Sequence, residues 1–275
     1  MHLKEFCRII DMLKPRIIPS LLIYKNGLIK TENFKIKDSK YIGDPLNAVR
    51  IFNEKNADEI IISDVTPSIE KTEPNYDLIS KIAEECRMPL CYSGGIKKLE
   101  QIEKIISLGV EKVGLCSICI NDPELISKAA KRVGSQSIAA IMDVKKNSLT
   151  NSYKVFIDNG KKATNYTPLK FLRRFQDLGA GEIIINNINN DGKMNGYDFN
   201  LLDSIYESSR IPLTTLGGAG CYKDIKNTFN RYGIIGAAAG SLFVFKGKYK
   251  AVLIQYPTKK EKEALYQYNI EEDYL

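Results

Sequence analysis

Two stretches of this chain are one stretch written twice, and that repeat limits the fold more than any other feature. DPLNAVRIFNEKNADEIII (44–62) aligns with TPLKFLRRFQDLGAGEIII (167–185), 123 residues further on. The matches fall where structure needs them: Pro45 and Pro168 open a helix, Phe52 and Phe175 lie on its apolar face, and Glu59 and Glu182 lead into isoleucine triplets. Downstream, NYDLISKIAEECRMPLCYSGGI (75–96) pairs with GYDFNLLDSIYESSRIPLTTLGGAG (196–220), and GVEKVGLCS (109–117) with GIIGAAAGS (233–241). Each copy alternates short β-branched runs with longer amphipathic ones, the pattern of βα units around a parallel sheet. Strands are predicted near 17–23, 59–64, 88–92, 110–115, 137–143, 182–187, 211–216 and 234–239. Helical segments between them include 45–56, 75–86, 98–108, 122–132, 168–178 and 198–208. Two four-strand halves give eight parallel strands, which close into an α/β fold, a single (β/α)8 TIM barrel of roughly 250 residues. A doubly wound open sheet is the alternative, but it supplies no reason for two equal halves.

No linker rich in Pro, Gly or Ser divides the halves, so one domain is expected: a barrel over 15–245, a helical extension at 1–14, and a divergent segment at 246–275 completing or packing on the barrel. At 275 residues, 44% hydrophobic and 27% charged, the chain can bury a sizeable core. Its longest uncharged run, Tyr232 to Phe245, is short of the roughly 20 apolar residues of a membrane span. Residues 1–14 lack the continuous apolar core of a secretory signal. A soluble protein of the reducing cytoplasm, without a membrane partner, follows as an expectation. The scattered cysteines, Cys7, Cys86, Cys91, Cys116, Cys119 and Cys221, then read as small core hydrophobes rather than a disulfide framework.

The only histidine is His2, at a terminus where chains fray, which all but excludes a Ser-His-Asp triad, a Cys-His pair or a histidine metal cluster. Cys116-Ser117-Ile118-Cys119 has C-x-x-C spacing, but it follows a barrel strand rather than opening a helix beside a thioredoxin-type sheet. With no second cysteine pair at metal spacing, no metal and no cofactor is expected. The net charge of +7 raises nucleic-acid or polysaccharide binding as a further class of function. Lysines spread over helices without interleaved aromatics fit a solvated shell instead, so no nucleic-acid partner is expected.

In a (β/α)8 barrel, chemistry belongs to the C-terminal ends of the strands. There stand Ser93-Gly94-Gly95 after the third strand and Leu216-Gly217-Gly218 after the seventh, each followed one strand later by a small polar end, Cys116-Ser117 and Gly240-Ser241. Glycine amides, a hydroxyl and a helix start suit a phosphate. A Gly-Gly turn alone is an ordinary loop, but its duplication on one face favours two cradles and a ligand with two phosphates. Asp143 closes the fifth strand in IAAIMDVKKN and is the acid-base candidate; its alternative is a structural aspartate capping the next loop. The matching place at the end of the first strand, in RIIPSLLIYKNG, holds Leu22, so the second carboxylate of an acid-base pair is missing. The lysine-rich stretch Tyr24 to Gly43 is read as a long loop, either an ordinary mobile surface loop or a cover over the mouth. At the opposite face Arg16, Glu59, Lys112 and Glu182 stand at strand starts, where they form either a ring of ion pairs gating the barrel floor or four solvated ends.

RIIPSL, GDP, ADEIIISDVT, SGGI, EKVGLCS, GSQSIAAIMDVKKN, LGAGEIII, NDGKMNGYD, LGGAG and AAAGSLF occur in this order over about 15–245. In these motifs the chain resembles the cyclase (HisF-type) subunit of imidazole glycerol phosphate synthase. The resemblance implies a barrel that receives ammonia from a glutaminase subunit, carries it to the active face and there, with two aspartates, cyclises and cleaves a bisphosphate. It further implies Asp143 as one catalytic aspartate, and Arg16, Glu59, Lys112 and Glu182 as the channel gate. Asp191 and Gly192 match the loop after the sixth strand, and Gly94, Gly95, Ser117, Gly217, Gly218, Gly240 and Ser241 match phosphate-binding turns. Glu111 stands at an acidic position of the glutaminase interface, and Lys30 on the loop that closes over substrate.

The departures gather on the catalytic face: Leu22 for the other aspartate, Leu216 for a serine, Cys116 for an asparagine. Leucine transfers no proton, and losing one member of a cooperating pair can remove most of its benefit. An intact channel side with an altered chemical side resembles the branch of HisF-like proteins found with surface-polysaccharide genes. Such a barrel and its glutaminase are thought to supply ammonia to an N-acetyl-sugar amidotransferase that turns an acetamido into an acetamidino group. Supply of ammonia is favoured here over the second reading, a true cyclase of histidine biosynthesis.

Overall fold

The computed structural model describes residues 14–267. Of the helical extension expected at 1–14, residues 1–13, with His2 and Cys7, lie outside the described residues, as do 268–275.

Eight parallel strands close on themselves: β1 (Arg16–Tyr24), β4 (Ile60–Asp64), β5 (Leu90–Ser93), β6 (Lys112–Leu115), β7 (Ile138–Lys146), β10 (Glu182–Asn187), β11 (Leu213–Leu216) and β12 (Gly236–Ala239). β12 pairs back onto β1 with Ile17 beside Ala237, and β7 pairs with β10 with Asp143 beside Asn186. Closure removes both sheet edges, and helices cover the outer face, so strand residues are buried on both sides. Every residue of Ile138–Val144 is buried accordingly. The open-sheet alternative is thereby excluded.

The repeat is visible in the helix starts. Asp44 accepts from the Asn47 amide at 2.9 Å and Thr167 from the Lys170 amide at 3.4 Å, capping Pro45–Glu54 and Pro168–Asp177. Proline at the first turn suits both, since its missing N–H would have had no helical partner. These helices bury Phe52 and Phe175 against the barrel. Asn75 and Asp198 cap Tyr76–Glu85 and Phe199–Tyr206 in the same way. Each cap contributes about 1 kcal/mol.

Residues 24–43 are not a plain loop. They form an antiparallel ribbon, β2 (Gly27–Lys30) and β3 (Lys40–Gly43), that extends β1 beyond the barrel. A second ribbon, β8 (Tyr153–Ile157) and β9 (Lys162–Ala163), extends β7 in the same manner, and no strand was read there from the sequence. Both turn on Asn-Gly: Lys25 and Asn26 before Gly27, and Asp158 and Asn159 before Gly160, have positive φ. That is the chemistry of a tight hairpin turn. After β12 the chain forms a short ribbon, β13 (Phe245–Lys246) with β14 (Ala251–Val252), and then the helix Lys259–Tyr266. Tyr256 at 6.3 Å from the Phe52 ring and Tyr266 at 6.1 Å from that of Phe229 seat this segment between the first and seventh barrel helices.

Candidate functional site

Asp143 lies near the C-terminal end of β7, where the backbone passes from barrel into ribbon. Its side chain is only 6% exposed, at the wall of a cavity of about 590 Å³ open at the barrel mouth. Cys116 Sγ donates to one carboxylate oxygen at 3.2 Å and Asn186 Nδ2 to the other at 3.0 Å. Burial pushes the carboxyl up to about 6, against these two donors, which favour the anion. The Cys116 thiol is itself pushed well up, by burial and then by the Asp143 charge, so it is a donor and no nucleophile. Cys119 is buried and donates to the Leu115 carbonyl at 3.0 Å; neither cysteine of the C-x-x-C has the thiolate a redox pair needs. Asn186 Oδ1 is buried without a partner among the described residues.

Leu22 and Leu216 line the same cavity, as do Gly94, Gly95 and Ser117. Gly94 (φ +140) passes so near Asp64 that a Cβ would lie 2.0 Å from its carbonyl oxygen; only glycine fits the turn. The Ser117 hydroxyl accepts from the Asp158 amide at 3.0 Å, joining this turn to the second ribbon. Lys71, Lys97 and Lys161 line the mouth on this side and are exposed, which suits an anionic ligand.

The other expected cradle is built differently. Gly192, Gly217, Gly218, Gly240 and Ser241 are not among the residues lining the cavity; Lys30 and Asp191 are. Lys30 Nζ stands against Gly240, 2.5 Å from where a Cβ would be, and 3.5 Å from the Asp191 carboxylate. Asp191 also accepts from Thr31 Oγ1 at 3.0 Å and the Phe34 amide at 3.4 Å, and Asn33 Nδ2 donates to the Ile188 and Asn189 carbonyls. Asp191 and its neighbours thus fasten the first ribbon down over the mouth. Ser241 Oγ is buried without a partner among the described residues.

At the floor, the four charges form a closed ring: Arg16 pairs with Glu59 and Glu182, and Lys112 pairs with the same two glutamates. The Arg16–Glu182 and Lys112–Glu182 contacts are 2.7 Å, and Thr214 Oγ1 donates to Glu182 at 2.5 Å. Burial would raise the Glu182 pKa, but Arg16 and Lys112 outweigh it and hold the carboxyl at about 2. The same pairing keeps Arg16 and Lys112 protonated despite their burial. Above the ring lies an apolar layer of Ile18, Ile61, Cys91, Ile141, Ile184 and Ala238, whose upper side chains floor the cavity. Strand alternation marks this layer in the sequence, two residues on from the ring at Arg16 and Glu59. Glu111 is exposed beside the ring and accepts from the Leu90 amide at 2.8 Å.

Fold and site define a (β/α)8 barrel with an ion-paired floor, an apolar middle and a polar mouth lined by the buried carboxyls of Asp64, Asp143 and Asp191. Over residues 16–250 the chain matches the family described as histidine biosynthesis protein, and it belongs to that family as a HisF-type member. It is 51% identical over 255 residues (93% of this chain, 100% of the relative) to a Leptospira interrogans protein named "Putative imidazole glycerol phosphate synthase subunit HisF". A Vibrio vulnificus protein named as subunit hisF3 is likewise 51% identical over 256 residues, covering 93% and 98% of the two chains. The imidazole glycerol phosphate synthase subunit HisF of Natranaerobius thermophilus is 34% identical over 235 residues, covering 86% and 92%. No helix of the described residues is long and apolar enough to cross a membrane.

Proposed function

We propose that this chain is the synthase half of a glutamine-dependent pair: a glutaminase docks on the floor around Glu111, and ammonia released there passes through the barrel to an acceptor at the mouth. The acceptor is an N-acetyl-sugar amidotransferase that exchanges an acetamido oxygen for nitrogen. The reading rests on one contrast: the floor keeps all four ring charges, while Leu22 stands on the cavity wall where a second proton-transfer group would be needed.

The ring supplies selectivity. To open, Lys112 or Arg16 leaves one glutamate while the other contacts hold, so the floor parts without freeing a buried charge altogether. The layer of Ile18, Ile61, Ile141 and Ile184 then admits neutral ammonia, whereas an ammonium ion would shed its water with no replacement partner. At the mouth, Asp143 is mostly ionised at neutral pH, and it and the free Asn186 Oδ1 are the acceptors an arriving N–H would meet.

Reconstitution with a glutaminase and an N-acetyl-sugar amidotransferase tests the reading, and glutamine-dependent acetamidino sugar is the expected product. Turnover of ammonium salt and the family's bisphosphate by the barrel alone, at the rate of a two-aspartate enzyme, would overturn it in favour of a histidine-pathway cyclase.

A further inference from the structure

The exposed large apolar side chains are unevenly distributed. Among the described residues they are Tyr41, Ile69, Leu149, Tyr249, Val252, Leu253 and Ile234. All but Ile234 lie on segments that leave the C-terminal ends of barrel strands. Three lie together in the chain: Tyr249 at 88% exposure, Val252 at 44% and Leu253 at 49%, on or beside the β13–β14 ribbon. The ribbon is tied to the cover over the mouth. Lys40 Nζ donates to the Lys250 carbonyl at 2.8 Å and lies over the Phe245 ring at 5.2 Å, and Lys250 pairs with Glu32 at 2.7 Å.

The rim of this patch is basic. Residues 245–253 carry Lys246, Lys248 and Lys250 with no acidic residue, and the adjacent first ribbon adds Lys35, Lys37 and Lys40 against Glu32 and Asp38. Of these lysines only Lys250 is ion-paired among the described residues. Aromatic and aliphatic side chains ringed by unpaired cations are the complement of a surface with an apolar centre and an acidic border. We propose that the β13–β14 ribbon with Tyr249 and Leu253 is the docking surface for the ammonia-consuming protein, and that its contacting face is apolar with flanking carboxylates. This rests on the ammonia-delivery reading, which requires the mouth to be enclosed by the acceptor, since ammonia lost to water is protonated and useless. A lipid surface would match the charge but offers no acceptor. The contact also reaches the cover directly, because Glu32 is adjacent to Thr31, whose hydroxyl is bonded to Asp191.

The test uses the full chain with a glutaminase and an N-acetyl-sugar amidotransferase, comparing wild type with Tyr249→Glu and with Lys246→Glu/Lys248→Glu. These side chains are exposed and outside the cavity and the ring, so fold, glutaminase binding and glutaminase turnover stay unchanged. Glutamine-dependent product is expected to fall at least tenfold, and product formed from added ammonium chloride to stay within twofold. Wild-type transfer by both variants overturns the docking surface. If the wild-type trio makes no glutamine-dependent product, the delivery reading has failed, and calorimetry of the amidotransferase against wild type and Tyr249→Glu decides the docking alone: no wild-type binding, or equal binding by both, overturns it. Loss in the variants of sedimentation with phosphatidylglycerol vesicles, or of a wild-type dimer, would likewise overturn it by assigning the patch to a lipid surface or a second copy.

Discussion

Replacing Asp143 by asparagine should stabilise the protein, and more so at high pH. The carboxyl is buried and its pKa stands at about 6, against 3.8 for an ordinary aspartate. At 1.36 kcal/mol per pH unit, that interval is about 3 kcal/mol of cost for keeping the anion in the cavity wall. The sign follows from proton uptake: between pH 3.8 and 6 the folded state binds the proton more tightly than the unfolded one, so wild-type stability falls as pH rises through this window and is level above it. Asparagine has no such dependence. It keeps one acceptor for Cys116 or Asn186 but brings an amide donor against the other, at a cost of about 1 kcal/mol. The net expectation is a gain of about 2 kcal/mol at pH 8, near 4 °C in melting temperature for a chain of this size, falling to a small loss at pH 4. Urea unfolding of both proteins at pH 4, 5, 6, 7 and 8 measures it. A stability difference that is flat over this range would refute the buried, raised carboxyl.

Other perturbations address the remaining parts. Glu182→Gln leaves Arg16 and Lys112 buried with a single glutamate, and should cost about 3–5 kcal/mol in urea unfolding at pH 7. Because the Glu182 pKa is lowered to about 2 from 4.5, the stability it confers is full above pH 4.5 and is lost as pH falls through about 2; a wild-type-minus-variant difference that grows on acidification would contradict the ring. Gly95→Ala puts a Cβ 2.3 Å from that of Pro67 at φ +67, and should destabilise by about 1–3 kcal/mol and weaken inorganic phosphate binding in calorimetry. Cys116→Ala removes a donor to Asp143 and should move the Asp143 titration above about 6, read by carbon NMR of the carboxyl; an unchanged midpoint would remove Cys116 from the site.

Much of the site was legible because each part depends on chain periodicity. The ring needs only that Arg16, Glu59, Lys112 and Glu182 share a phase at strand starts, and the repeat fixes that phase for the two glutamates. Asp143 was legible for the same reason, at the far end of a strand with a buried run. The ribbons were harder. Residues 24–43 carry enough lysine to look like a loop, and their strand character comes from pairing with β1, a contact outside the local pattern; Asn26-Gly27 and Asn159-Gly160 were the signals present.

The sequence by itself determined the closed barrel, its two halves, the charged floor and the place of Asp143 at a strand end, because local periodicity and an internal copy encode them. Only the tertiary structure decided what each polar group faces. It gave Asp143 a thiol and an amide as donors and made Asp191, on the cavity wall, an anchor for the cover. It set Lys30 against Gly240 and tied Lys40 to the Lys250 carbonyl. These are contacts between residues up to some 210 positions apart, fixed by barrel closure and ribbon packing, and no local pattern in the chain specifies them.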